Sequence, residues 1–225
     1  MSGAGFLARP EPTPRAKDHF DEDIVQFGHI MNASRLWAYQ PAAFDGIVEL
    51  LRQTSVEHGI TTRQRGILVT ACASALGDSY CAISWGTKLA RTADAQTASA
   101  VLRGDDTGLT APEHALAAWA RKVVRGPSHT TPADIQDLRD NGFTDAQIFA
   151  ITVFVSIRIA YSTVNDALGA QPDAFFHTLA PAPVRDAVTF GRPWRRPPHH
   201  PRPFWGEAAG PVARFDCRRV PPWLR

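Results

Sequence analysis

One segment of the chain is apolar at almost every position. It spans residues 151–161 and reads ITVFVSIRIAY. A helix that is apolar all round is stable only in the middle of a helical bundle or in a subunit interface. The segment belongs to a predicted helix over 144–168, which begins at Thr144 and is ended by Gly169. A chain that contains this helix must therefore supply other helices, or a second subunit, to enclose it.

Helical periodicity covers most of the chain between about residues 20 and 180. Apolar residues recur there at the spacing that places them on one face of a helix. Thr131 and Pro132 give a start signal, and Asn141 and Gly142 give a stop signal. The predicted helices cover residues 42–57, 62–76, 79–90, 93–103, 112–125, 132–140 and 144–168. Because no stretch shows the alternation of a strand, the predicted fold class is all-α.

Three regions follow from the patterning. Residues 1–20 are a predicted flexible N-terminal lead-in, residues 21–186 a helical domain, and residues 187–225 a tail rich in proline and arginine. The tail holds eight arginines against two acidic residues, whereas residues 1–186 hold 16 basic and 20 acidic residues. An acidic body repels phosphate, which argues against a nucleic-acid partner. We expect the tail to lie over an acidic face of a neighbouring subunit or to be mobile.

The composition is that of an ordinary globular protein, with 44% hydrophobic and 20% charged residues. No uninterrupted apolar run approaches the length of a membrane span, and the N-terminus has no signal-peptide core. Three cysteines are too few for a disulfide scaffold, and an odd number fits a reducing compartment. The sequence therefore predicts a cytoplasmic protein with no membrane partner.

The sequence also lacks the common patterns of bound cofactors. No set of His, Cys, Asp and Glu has the spacing of a structural zinc site. Neither type of phosphate-binding glycine loop occurs, and no Gly-x-Ser-x-Gly motif occurs. We expect no metal site and no cofactor.

Cys81 is the clearest candidate for a reactive group. It lies in the distinctive stretch 61–90, TTRQRGILVTACASALGDSYCAISWGTKLA, in the first turn of a helix that begins near Asp78. Free backbone N–H groups and the helix dipole at that position lower the pKa of a thiol and favour the nucleophilic thiolate. The alternative is a small buried core residue, which is a common role of cysteine.

The order of helices and turns in this stretch and the following ones resembles a known family. Residues 61–90, residues 109–169 and the upstream segment 27–51 are similar to the carboxymuconolactone decarboxylase/alkylhydroperoxidase D-like superfamily. The resemblance covers about 27–190. It implies an all-helical fold with a two-layer antiparallel core, and a homo-oligomer that is a dimer, trimer or hexamer.

The resemblance also implies that the family's peroxidase site is largely substituted. Peroxidase members carry Cys-x-x-Cys-x-x-x-His, with a Glu twelve residues before the first Cys. Only the second Cys is kept, as Cys81, while Asp78, Trp85 and Gly66 stand at the positions of the other Cys, the His and the Glu. Asp78 cannot resolve a sulfenic acid, and Trp85 cannot accept a proton. A dithiol peroxidase cycle is therefore not expected, and Gly66 and Trp85 also lack the acid and base of the decarboxylase branch.

Three functions remain open for such a family member. Cys81 could act alone, as a one-cysteine peroxidase or a redox-sensing thiol. The cavity could instead host a cofactor-free reaction on a small acidic or lactone-type substrate. The third alternative is a non-catalytic member that binds a ligand or has a structural role, with Trp85 filling the vacated site.

Two groups of residues are candidates for lining such a cavity. Arg158, Tyr161 and Asn165 share one face of the long helix and are candidate substrate-binding residues. A charge among apolar neighbours needs a partner or a wet cavity, and Asp78 is the acid that we would pair with Arg158. The other pocket candidates are Tyr80, Cys81, Trp85 and, more weakly, His58, which precedes Gly59 at a helix end.

Overall fold

The computed structural model describes residues 5–193. Within them the helices are α1 (Pro14–Phe27), α2 (Asn32–Trp37), α3 (Pro41–Ser55), α4 (Thr62–Leu76), α5 (Ser79–Thr92), α6 (Ala95–Arg103), α7 (Ala111–Arg125), α8 (Pro132–Asp140), α9 (Asp145–Ala167), α10 (Phe176–Leu179) and α11 (Ala182–Ala187). A 3-10 turn at Pro127–His129 joins α7 to α8. No strand occurs in the described part, so the all-α prediction is confirmed.

Threonine caps explain where several helices begin. Thr61 accepts a hydrogen bond from the backbone N–H of Gln64, whose side chain in turn accepts one from the N–H of Thr61. Thr144 and Gln147 form the same reciprocal capping box at the start of α9. Each box satisfies two backbone donors that the first turn of a helix leaves unpaired. These short-range signals are the reason that most helix starts are close to their predicted positions.

The N-terminal lead-in is shorter than the sequence predicts. α1 begins at Pro14, and the hydroxyl of Thr13 caps it by accepting a hydrogen bond from Ala16 N at 3.2 Å. Proline is favoured in the first turn, where its missing N–H would have no partner anyway. Arg15 and His19 anchor the helix to Asp45 of α3 at 2.8 and 2.7 Å. The predicted boundary at residue 21 therefore falls inside a helix.

The C-terminal boundary is only partly covered by the structure. α11 ends at Ala187, the first residue of the predicted tail. Residues 188–193 continue without a helix. The rest of the Pro/Arg-rich tail lies outside the described residues, so its place stays a prediction.

The helix at the centre of the bundle is α4 rather than α9. Every residue from Arg65 to Ala73 is buried, and α4 packs against α5, α6, α7 and α9. α9 packs on one side against α3, α4 and α7, while Phe149 on its other side is 73% exposed. α9 therefore does not lie in the middle of the bundle, and one of its faces is open in the described part of the chain. A subunit contact at that face stays a prediction.

α9 also has the length and composition of a membrane-crossing helix. Its most apolar 18-residue window has a mean hydropathy of 1.5, and 39% of that window is buried. The core helices of soluble proteins satisfy the same criterion. The sequence of α9 is not an uninterrupted apolar run, because Arg158 and several hydroxyl residues lie within it.

Candidate functional site

A partly open cavity of about 100 Å³ lies among α1, α2, α3, α4, α5 and α9. Five of the predicted site residues line it, namely Tyr80, Cys81, Trp85, Arg158 and Tyr161. Asp23, Arg65 and Lys88 add further charged groups, and apolar side chains such as Phe44, Leu51 and Phe154 complete the wall. The structure thus brings most of the predicted site together at one place. Its volume is small beside the ~300–1,000 Å³ of drug-sized pockets, so it suits a compact ligand.

Cys81 lies in the first turn of α5, as predicted, but its thiol is deeply buried. Its exposed fraction is 2%. Its backbone N–H donates to Asp78 Oδ1 at 3.0 Å, so Asp78 is the N-cap of α5. Its Sγ lies 3.2 Å from Arg158 Nη2, which is a direct polar contact between α5 and α9 in the cavity wall.

The expected lowering of the Cys81 pKa is wrong. Burial raises the pKa of this thiol well above its ordinary value, and the charge of Asp78 raises it further. Arg158 and Ser162 act in the opposite direction but do not outweigh burial. The helix dipole argument fails here because burial outweighs the dipole and because the cap of the helix is itself a carboxylate. Cys81 is therefore a neutral thiol at pH 7.

Arg158 is a buried cation that no carboxylate neutralises. It is 5% exposed. Among residues 5–193, no carboxylate oxygen lies within 4.0 Å of its guanidinium, so the pairing with Asp78 that the sequence suggested does not form. Its Nε has no hydrogen-bond partner, and neither has Asp78 Oδ2. The guanidinium carbon lies 4.8 Å from the ring centroid of Tyr161 and 5.4 Å from that of Trp85.

Lys88 is a cavity residue that sequence reasoning missed. Its Nζ lies 4.5 Å from the centroid of the Trp85 ring. Burial lowers the pKa of its amine to about 7, and the charge of Arg158 lowers it further. The spacing of Cys81, Trp85 and Lys88 at i, i+4 and i+7 was the available signal, since it places all three on one face of α5.

The two tyrosines of the cavity differ in their surroundings. The Tyr80 hydroxyl donates to Asp173 Oδ2 at 2.8 Å and accepts from Ala33 N at 3.1 Å, so it ties α5 to two other segments. The Tyr161 ring stacks on Trp37, with centroids 5.3 Å apart. Burial raises the pKa of both phenols. Tyr80 is thus a structural contact, and Tyr161 forms a wall beside Arg158.

Three predicted residues do not line the cavity. Asn165 is fully buried behind it and accepts a hydrogen bond from Trp37 Nε1 at 2.9 Å, which fixes the indole that supports Tyr161. Asp78 lies beneath Cys81 as a helix cap. His58 lies in the turn between α3 and α4, where its backbone carbonyl accepts from Gln147 Nε2 at 3.1 Å. Proximity in sequence suggested His58, but the turn keeps it outside the cavity.

α4 and α5 pack closely at Gly66, which the sequence resemblance aligns with the peroxidase glutamate. A Cβ on Gly66 would lie 3.3 Å from Leu89 Cδ1, so a larger residue at this point requires the leucine side chain to shift by a few tenths of an ångström. Trp85, which the resemblance aligns with the peroxidase histidine, lines the cavity. Within the described residues, no group of three or more His, Cys, Asp and Glu side chains could hold a metal ion.

Comparison with known proteins gives similarity in structure only. No protein-family model matches the sequence, and no curated protein matches it at a significant level. An uncharacterized peroxidase-related protein of Ralstonia eutropha, an alkylhydroperoxidase AhpD core, is 20% identical with a TM-score of 0.70, over 78% of this chain and 96% of that one. A peroxidase-related protein of a Silicibacter species is 19% identical with a TM-score of 0.71, over 78% of this chain and 95% of that one.

A third similar structure is that of an enzyme. The debrominase Bmp8, solved as a cysteine-to-alanine variant in complex with 2,3,4-tribromopyrrole, is 18% identical with a TM-score of 0.63, over 81% of this chain and 97% of that one. At identities this low, the structural similarity establishes a shared fold but not a shared chemistry, which depends on the residues of each site. The fold that the sequence resemblance predicts is confirmed: the chain has the alkylhydroperoxidase D-like helical fold.

Proposed function

We propose that the cavity binds a small organic anion and that Arg158 holds its acidic group. The observation that carries this proposal is the buried Arg158 guanidinium, which has no carboxylate within 4.0 Å among residues 5–193. An unpaired ion in a protein interior costs several kcal/mol. A guanidinium is a planar fork of donors that matches a carboxylate, so an anionic ligand would offset that cost.

The charges of the cavity support the same proposal. Arg65, Lys88 and Arg158 contribute basic groups, whereas Asp23 contributes the acidic one. Burial raises the pKa of Asp23, and its Oδ2 already accepts a hydrogen bond from Met31 N at 2.9 Å. The cavity therefore has an excess of positive charge, which favours anionic over neutral ligands.

The apolar wall limits what the rest of the ligand can be. Phe44, Leu51 and Phe154 face the cavity without hydrogen-bonding groups. A compact aliphatic or aromatic acid meets both conditions, since its body packs on these side chains while its carboxylate reaches Arg158. This corresponds to a cofactor-free enzyme or a binding protein for a small acid, rather than to a dithiol peroxidase.

The surroundings of Cys81 within residues 5–193 support excluding the dithiol cycle. Asp78 stands where the partner cysteine would be, and its side chain caps α5. Cys72, the other cysteine of residues 5–193, is buried in α4, and burial raises its pKa to about 12. Neither residue supplies the resolving thiolate that a disulfide-forming cycle needs.

Calorimetric titration with pentanoate tests the anion site. We expect the Arg158→Met variant to bind pentanoate roughly 10- to 150-fold more weakly than the natural protein, the equivalent of about 1.5–3 kcal/mol for hydrogen bonds to a charged group. Arg52→Gln is the matched control, because Arg52 lies on the surface of α3 and pairs with Glu49 and Glu57. Equal affinities for the natural protein and Arg158→Met would contradict the proposal.

One contact favours a second candidate, thiol chemistry at Cys81. Arg158 Nη2 lies 3.2 Å from Cys81 Sγ and would stabilise a thiolate once it forms. A cysteine was the residue replaced in the debrominase complex with the brominated pyrrole. The test is oxidation of Cys81 by hydrogen peroxide, followed by intact mass with a sulfenic-acid trap. Oxidation at pH 7 faster than that of a free thiol would support this candidate, and a slower rate would remove it.

A further inference from the structure

Lys88 places an amine in the cavity. This amine has no part in the proposed binding of an anion by Arg158. Its Nζ lies 4.5 Å from the centroid of the Trp85 indole, and the guanidinium carbon of Arg158 lies 5.4 Å from the same centroid. Both side chains also line the same cavity. The two basic groups therefore border one aromatic ring, and one small ligand can reach both.

Burial is the largest cause that favours the loss of the Lys88 proton by lowering the pKa of its amine. Arg158 of α9 and Arg91 of its own helix lower this pKa further, whereas Cys81 and Asp23 of α1 act in the opposite direction. Arg65 of α4 lines the same cavity. Among residues 5–193, no carboxylate oxygen lies within 4.0 Å of Lys88 Nζ.

A lysine in such surroundings is a nucleophile. An amine that is desolvated, or that lies beside another cation, keeps a free electron pair near neutral pH. With the pKa of Lys88 lowered to about 7, roughly half of the molecules carry the neutral amine at that pH. Neutral amines react with carbonyl carbons, whereas ammonium groups do not.

We propose that Lys88 forms an imine with the carbonyl group of a small oxo acid whose carboxylate is held by Arg158. This inference rests on the anion site proposed above and names the ligand class of that site. A ligand with a carbonyl and a carboxylate uses the amine and the guanidinium at the same time. The compact, partly apolar cavity restricts the class to short chains.

The step is balanced without an oxidant or reductant. The electron pair of the neutral Nζ forms a bond to the carbonyl carbon, and the π pair of the C=O bond moves to oxygen. A proton passes from nitrogen to that oxygen, and one further proton comes from solvent. The C–O bond then breaks, and water leaves. The product is a protonated imine, and its positive charge lies beside the Trp85 ring, which attracts cations.

Reductive trapping tests the proposal on the whole chain. The protein is incubated with levulinate, a 4-oxo acid, or with 2-pentanone, the matched ketone without a carboxylate, in the presence of borohydride. The sequence has three lysines, Lys17, Lys88 and Lys122, so peptide mass mapping assigns the modified amine directly. We expect levulinate to modify Lys88 at least ten times faster than 2-pentanone does. The measurement is repeated with pyruvate, a 2-oxo acid in which the carbonyl group and the carboxylate are closer together.

Two variants distinguish loss of the Lys88 amine from loss of the fold. Lys88→Arg keeps the positive charge beside Trp85 but has no nucleophilic amine, so we expect it to remain folded and to lose the adduct. Lys122→Arg is the matched control, since Lys122 lies outside the cavity and binds Asp134 at 2.6 Å. It should be labelled at Lys88 as fast as the natural protein. Equal labelling of the three lysines would overturn the proposal.

Two further outcomes distinguish this inference from the anion site. If levulinate binds in a calorimetric titration but no adduct forms, the imine is excluded while the anion site stands. If Lys88 is labelled equally fast by levulinate and 2-pentanone, and equally fast in Arg158→Met, the amine is reactive but Arg158 does not hold the carboxylate. That result would overturn the oxo-acid class.

Discussion

Arg158 Nη2 lies 3.2 Å from Cys81 Sγ, and both side chains are buried. The sulfur is a weak acceptor when it is a neutral thiol, so this contact satisfies little of the guanidinium. Burial and Asp78 keep the thiol neutral by raising its pKa. The arginine therefore keeps most of its capacity to bind an anion, and this is the basis of the predictions that follow.

Arg158 should contribute little to stability, in contrast to a paired buried arginine. Arg121 is 8% exposed and binds Asp106 with two hydrogen bonds of 2.6 and 2.7 Å. Breaking such a pair leaves a buried charge and costs about 3–5 kcal/mol. We expect Arg121→Met to lose free energy of unfolding in that range, while Arg158→Met keeps it or gains up to about 2 kcal/mol. Chemical denaturation of both variants measures this, and an equal loss would show that Arg158 is a structural residue.

The charge of Asp78 should slow the chemistry of Cys81. Asp78→Asn keeps an oxygen that can accept the N–H of Cys81 but removes the negative charge that raises the pKa of the thiol. The variant should therefore hold more thiolate at a given pH and react several-fold faster with iodoacetamide between pH 8 and 9. Thermal unfolding should change little, because the helix cap is kept. A rate equal to that of the natural protein would remove Asp78 as a cause of the raised pKa.

Lys88 should make stability depend on pH in a defined window. Its pKa is lowered from 10.5 to about 7 in the folded protein. Between these values the unfolded chain binds a proton that the folded protein does not, so the free energy of unfolding rises with pH across about 7–10.5. Lys88→Met lacks this contribution. We expect the variant to be stabilised relative to the natural protein most strongly below pH 7, with the difference shrinking as the pH approaches 10.5. A difference that is constant with pH would mean that the lysine is not desolvated.

The exposed face of α9 should join subunits. Phe149 is 73% exposed and lies beside a groove that includes Val123, Ile135 and Ile148. We expect a dimer, trimer or hexamer, and we expect Phe149→Glu to weaken it because a charge would enter the contact. Light scattering at micromolar concentration measures the mass. A monomeric natural protein would contradict this expectation.

Local signals made much of the fold predictable from the sequence. Helix ends are marked in the sequence by capping threonines, by Pro132 in a first turn and by Gly169 at a positive φ. Few other residue types suit these positions, so the helix bounds lie close to them. α1 begins inside the predicted flexible lead-in, where Pro14 is in its favoured place in the first turn. The apolar residues on nearly every face of α9 left open whether it lies in the middle of the bundle or in a subunit interface, because composition does not show which apolar face a neighbour covers.

The sequence predicts which residues line the cavity better than it predicts their ion pairs and pKa values. The cavity is lined by one face of α5, with Cys81 and Trp85, and by one face of α9, with Arg158 and Tyr161. Helical spacing places each pair on a single face. The Asp78–Arg158 pair, the lowered thiol pKa and the role of His58 depended on distances and burial between helices. Lys88 was overlooked for the same reason, since a lysine in an amphipathic helix is ordinarily solvated.

A cycle of two ligands and two proteins tests the central claim most directly. Pentanoate and pentanamide differ in charge but little in size, and the natural protein and Arg158→Met differ in the guanidinium alone. Calorimetry of the four combinations isolates the coupling between the ligand carboxylate and Arg158. The account predicts that the natural protein prefers pentanoate by roughly tenfold or more and that Arg158→Met loses this preference. The same preference in both proteins, or none in either, would contradict it.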